Sequence, residues 1–103
     1  MLDNKSKECT EFAVFKVCKE NIRRVAELSK AIFTEMNAEE KVISSFQILQ
    51  KIDNEEELCW HLTWVSAEAA KTTTEKWPSF PSTKAFQSLV DENKYYGHFV
   101  DLT

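Results

Sequence analysis

Along Glu57–Ala70, Leu58, Trp60, Leu62 and Trp64 recur at every second position, with Cys59, His61, Thr63 and Val65 between them. That alternation predicts a pleated strand with two distinct faces. At Val65-Ser66 the period changes. Ser66 is placed to cap a helix whose first turn carries Glu68, a carboxylate at the positive end of the dipole. A large aromatic face is thereby held beside a helix start, the geometry of a pocket edge.

The same reading extends along the chain. Glu11 to Lys19 predicts a first strand, with Phe12 and Val14 on one face and Ala13, Phe15 and Val17 on the other; both faces are apolar, so cover is expected on both. From Asn21 to Asn37 the period is helical: Ile22, Val25, Ala26, Ile32, Phe33 and Met36 form a stripe that Arg23, Arg24, Glu27 and Lys30 avoid. Val42 to Ile52 returns to alternation, with Ile43 and Leu49 on one side and Ser44, Phe46, Ile48, Gln50 and Ile52 on the other. The polar run Asp53 to Glu57 then joins this strand to the tryptophan strand as an antiparallel hairpin. Its like charges read as a solvated loop tip, not a metal site. Ser66 to Trp77 is a second helix, closed by Pro78; after Pro81 comes a shorter one carrying Phe86, Leu89 and Val90. Lys94 to Leu102 is the last strand, Tyr95, Gly97 and Phe99 alternating with Tyr96, His98, Val100 and Leu102.

The order strand, helix, strand, strand, helix, strand defines an α+β class. It predicts a ferredoxin-like split βαβ arrangement, a four-stranded antiparallel sheet with helices on one face. Residues 1–10 read as a tail and 11–103 as one domain. Large apolar residues on both sides of several strands leave a second sheet face to be covered, and a second copy of the chain is the expected cover.

Composition narrows the partners. With 103 residues, one Gly and two Pro, the chain supports a single core and no low-complexity linker. A net charge of -4 with scattered Lys and Arg disfavours a nucleic-acid partner. The stretch MLDNKSKECTEF has no apolar signal-type core and no run is of membrane-spanning length, so the expectation is a cytoplasmic protein without a membrane partner. Cys9, Cys18 and Cys59 are odd in number and lack zinc-ligand spacing, so they read as reduced, half-buried thiols.

The segment Trp64-Val65-Ser66-Ala67-Glu68-Ala69-Ala70, supported by Phe86 and by His98-Phe99, resembles the Trp-x-Ser-x-Glu junction of the antibiotic biosynthesis monooxygenase-like family. That resemblance implies a dimeric α+β barrel, two sheets facing each other in a homodimer, with a pocket in each subunit. It also implies several activities, among them cofactor-free oxygenation of polycyclic phenols and haem degradation. The haem-degrading branch pairs the tryptophan with an Asn on the first strand and a His on the second helix. The corresponding first-strand position is about Ala13, and Ser66 to Trp77 contains no histidine, so haem is not expected.

A cofactor-independent monooxygenase acting on a small aromatic or phenolic substrate fits the residues better, because a deprotonated phenol supplies its own reducing electrons. Such a site needs an apolar cavity, a base and room for dioxygen. His98 is the candidate base, since imidazole titrates near neutrality and Tyr96 shares its strand face. Trp60 and Trp64 are the expected aromatic wall and Phe15 the opposite wall. Trp60 and Trp64 could equally be buried core or dimer interface, and the register that decides between Tyr95 and Tyr96 is open. His61 is expected on the helix side, opposite the tryptophans. Trp77 is either a lid or the last apolar contact of its helix. The alternative function is a non-catalytic dimeric barrel that binds a small hydrophobic ligand, or a stress-associated protein.

Overall fold

Among the described residues, strand and helix periods become four strands and three α-helices. The structure, a computed structural model, describes residues 7–103; the first six residues of the expected tail lie outside the described residues. In chain order the elements are β1 (Cys9–Lys16), α1 (Ile22–Met36), β2 (Ile43–Lys51), β3 (Asn54–Trp64), α2 (Ala67–Glu75), α3 (Thr83–Leu89) and β4 (Glu92–Val100). One-turn 3-10 helices at Lys19–Asn21 and Trp77–Ser79 join β1 to α1 and α2 to α3. All neighbouring strands are antiparallel in the order β2-β3-β1-β4, the ferredoxin-like sheet. No helix among the described residues is long and apolar enough to cross a membrane.

The register fixes which side chains share a face. Across β1 and β3, Cys9 opposes Trp64, Glu11 opposes Leu62, Ala13 opposes Trp60 and Phe15 opposes Leu58. All eight are buried. Against this inner row α1 lays Val25, Leu28, Ser29, Ile32, Phe33 and Met36, and the short helices add Ala70 and Phe86. The outer row of the same strands carries Phe12, Cys59, His61 and Thr63, and there Phe12 is exposed. The expectation of cover on both faces of β1 is therefore met within the chain only on the inner one.

Three expectations change. His61 lies on the outer face, stacked on Phe12 with ring centroids 4.7 Å apart and Nδ1 2.9 Å from Gln47 Oε1, whereas Trp60 and Trp64 face the helices. Alternation separates two faces but does not say which one receives the helices. The volume and apolarity of the even-numbered row of β3 decide it, because that row buries far more hydrophobic surface. In β2, an irregularity between Ile43 and Ser45 shifts the phase, so Ile43, Phe46, Ile48 and Gln50 pair with inward residues of β3, and Leu49 pairs with outward Cys59. Leu49 thus leaves the face of Ile43, and Ile43 joins the Phe46 row, because an extra residue inverts the alternation beyond it. Finally, β2 and β3 turn tightly at Ile52-Asp53, so Asn54 to Glu57 belong to the strand. There Lys51 Nζ approaches Asp53 and Glu57, each at 3.8 Å.

Local contacts hold the elements that frame the inner face. Asn37 ends α1 and hands the chain to β2, its Oδ1 accepting from the amides of Val42 and Ile43 at 2.9 Å each. Ser66 caps α2, its Oγ accepting from the Ala69 amide at 3.0 Å, as its position in the sequence predicts. Glu35 of α1 reaches the start of α3, where Oε1 accepts from the Ser82 amide at 3.0 Å. These contacts set the helices above the sheet at the points where the cavity walls rise.

Candidate functional site

Between the inner sheet face and the helices lies a cavity of about 500 Å³, within the range that holds a small molecule. Its floor runs along β1 from Glu11 through Ala13 to Phe15, a span of about 13 Å at strand rise. Trp60 and Trp64 come from β3, Thr74 from α2, Phe86 from α3, and Trp77 from the 3-10 turn between the two helices.

The Phe15 end is aromatic. Trp60 meets Phe15, Phe33, Trp77 and Phe86 with centroids 4.8–6.2 Å apart, mostly edge to face. Its indole Nε1 donates to Ser29 Oγ at 2.9 Å, and the Ser29 hydroxyl donates to the Val25 carbonyl at 2.7 Å. Every polar atom in that short chain is satisfied by neutral groups. Trp77 serves as cavity wall and helix-end packing at once.

The Glu11 end is polar. Glu11 is 2% exposed, and its Oε1 accepts from Trp64 Nε1 at 3.1 Å and from His98 Nε2 at 2.7 Å. An ionised carboxylate only accepts, so Nε2 is the nitrogen that carries the proton in this contact. The Tyr96 hydroxyl stands 3.2 Å from the same nitrogen. It sits where it can accept from Nε2, which leaves its own proton for another group. Burial is the largest cause of a Tyr96 phenol held above its ordinary range, opposed by the Thr74 hydroxyl and reinforced by the Glu11 charge.

The residues expected from the sequence are thus brought together with one exception in position. Trp60, Trp64, Phe15 and Tyr96 border the cavity, while His98 stands behind Glu11, with its ring edge-on to Trp64. Both tyrosines touch the cavity. Tyr96 does so from the inward face, opposite Ala13; Tyr95 adjoins the register shift between Val14 and Phe15, its hydroxyl lying over Gly97. Glu11 was not among the expected site residues. Its signal is a lone carboxylate in phase with Ala13, Phe15 and Val17 on an otherwise apolar strand face. Ser29 left a similar trace, a hydroxyl inside the apolar stripe of α1.

The surroundings of the thiols disfavour the thiolate. All three cysteines are free. Burial first raises Cys9 and Cys59, and the hydrogen bond to Asp91 first raises Cys18. Haem of the degrading type finds no ligand set: α2 reads AEAAKTTTE, His61 is on the opposite sheet face, and His98 Nε2 is bonded to Glu11.

No protein-family model matches the sequence, and no curated protein matches it. Solved structures do match. A candidate antibiotic biosynthesis monooxygenase of Nitrosomonas europaea superposes with a TM-score of 0.75 at 13% identity, over 98% of this chain and 96% of the other. A second from Bordetella bronchiseptica gives 0.74 at 12% identity, over 94% and 99%. SnoaB, a cofactor-independent oxygenase from Streptomyces nogalater, gives 0.70 at 16% identity, over 94% and 95%. The chain therefore has the ferredoxin-like fold of the antibiotic biosynthesis monooxygenase-type structures over nearly its whole length.

Proposed function

We propose that this protein is a cofactor-independent oxygenase of a small, electron-rich hydroxylated aromatic compound, bound between the sheet and the helices. The observation that carries this reading is an aromatic cavity of about 500 Å³ with a buried, hydrogen-bonded carboxylate at one end. The fold shared with SnoaB supports it. The arene lies against Trp60, Phe15 and Phe86, and its hydroxyl points toward Glu11 and Tyr96. Glu11 takes the hydroxyl proton, with His98 and Trp64 holding the carboxylate in place. The resulting arenolate transfers an electron to dioxygen and the two radicals combine into a carbon–oxygen bond. The peroxide then recovers the proton from Glu11. Loss of the ring-carbon proton and cleavage of the O–O bond release water and leave a carbonyl. One substrate carbon supplies all four electrons, so no reductant or cofactor is consumed. Within this reading the base expected at His98 acts through Glu11, because Nε2 carries the proton that Glu11 accepts.

Oxygen uptake with anthrone or a hydroquinone tests the proposal. One dioxygen consumed per carbonyl formed, with turnover lost in both Glu11→Ala and His98→Ala, is the expected result. Turnover unchanged in His98→Ala removes the histidine from the reaction, and no uptake with either substrate class favours a non-catalytic ligand-binding barrel.

The protein works as a homodimer in this reading. Phe12, Leu49, Tyr95 and Phe99 are exposed on the outer sheet face, where Phe12 meets Phe99 edge-on at 5.9 Å. Covering that face with a second copy closes the barrel. Light scattering at micromolar concentration is expected to give twice the chain mass, and Phe12→Asp to give the monomer; a monomeric wild type removes the closed barrel.

A further inference from the structure

We infer that Glu11 is a specificity-determining residue: its charge admits ring systems that present a hydrogen-bond donor to the polar end of the cavity and turns away those that present an anion. This rests on the sheet–helix cavity being the ligand site. Three observations carry it. Among the described residues, Glu11 is the one formally charged side chain lining the cavity; Thr74, Gln87, Asn93 and the two tyrosines are its neutral polar lining, and no described Lys or Arg borders it. Both donors to Glu11 among the described residues bond Oε1, and Oε2 has no hydrogen-bond partner among them. The carboxylate is also held from two sides, by Trp64 of β3 and His98 of β4, so it cannot swing away from an approaching ligand.

The consequence is chemical selection. An O–H or N–H on the ring edge meets Oε2 as an open acceptor. A carboxylate or sulfonate of the same shape meets a like charge in a poorly hydrated site, with no Lys or Arg among the described lining residues to offset it. His98 is a positioning residue in this scheme, because it shapes the direction of Oε2 without bordering the cavity.

The test is binding under argon at pH 8, read by quenching of tryptophan fluorescence and by calorimetry, with 2-naphthol, naphthalene and 2-naphthoate as probes. Naphthol is expected to bind at least tenfold tighter than naphthoate and tighter than naphthalene. In Glu11→Gln, which keeps an acceptor oxygen for Trp64 and His98 and removes the charge, the naphthol-to-naphthoate ratio is expected to fall to within threefold. Equal or tighter naphthoate binding by the wild type overturns the inference, as does an unchanged ratio in folded Glu11→Gln or no binding of any probe. Should Glu11→Gln not fold, the wild-type ratio alone decides. Oxygen uptake separates this inference from the proposed reaction. Absent turnover with an intact naphthol preference leaves the selectivity and removes the oxygenase; equal turnover of hydroxylated and carboxylated substrates does the reverse.

Discussion

Trp60 and Trp64 stand four residues apart on the same strand face, and both are buried, yet their indole N–H groups end on different chemistry. Trp60 donates to the neutral Ser29 hydroxyl inside the core, and four aromatic rings surround it. Trp64 donates to the Glu11 carboxylate, a buried charge that also binds His98. The first arrangement closes on itself, with each donor matched by a neutral acceptor. The second leaves one carboxylate oxygen without a partner among the described residues, on a side chain that lines the cavity. Burial alone therefore does not distinguish a packing tryptophan from one beside a buried carboxylate; the partner of the N–H does.

Removing each tryptophan's surroundings in turn tests this contrast, and the largest effect belongs to the aromatic end. Trp60→Ala is expected to lower unfolding stability by about 3–5 kcal/mol in denaturant titration, because the ring cluster has no other centre. A loss below about 1 kcal/mol would mean that the cluster repacks and that the Trp60 end is not the core. Glu11→Ala comes next, at about 2 kcal/mol, since it strands the Trp64 N–H and one His98 donor. Here the two ends should part company: oxygen uptake disappears with Glu11→Ala even at temperatures where the variant is fully folded by circular dichroism.

Ser29→Ala sharpens the comparison further. It is expected to cost about 1–2 kcal/mol by leaving the Trp60 N–H buried without its acceptor, while the naphthol-to-naphthoate preference stays at the wild-type ratio. A changed ratio would show that the two ends are coupled through the cavity wall. The smallest effect concerns pH. Tyr96 and Cys9, both at the Trp64 end, are weaker acids than usual, their pKa values raised above the ordinary 10.0 and 9.0 with burial as the first cause. The folded state then keeps these protons longer than the unfolded chain does. Their contribution to stability is full below pH 9 and falls as pH rises through 9 and 10 toward the shifted values. Denaturation midpoints that fall modestly between pH 8 and pH 10.5, and fall less in Tyr96→Phe, would bear this out; midpoints that rise would contradict the sign.

Much of the fold is readable from residue spacing. The period change at Ser66, the α1 stripe and the alternation of β3 and β4 each appear in the structure, because they record local geometry that repeats every 2 or 3.6 residues. Part of the site follows from the same source: Trp60, Trp64, Phe15 and Tyr96 are large and in phase, and they border one cavity. Glu11 carries a weaker signal, because it stands at the expected start of its strand. The structure begins β1 at Cys9 and places Glu11 two pairs inside it.

By itself, then, the order of residues determined the elements, their sequence, and which side chains of β1, β3 and β4 share a face, since covalent geometry alternates side chains wherever the strand is regular. Only the tertiary structure decided which face the helices cover, where the β2 irregularity inverts the alternation, and that His98 and Trp64 meet on Glu11 across three strands. The last of these depends on contacts between residues 53 and 87 positions apart, for which no local pattern carries a signal.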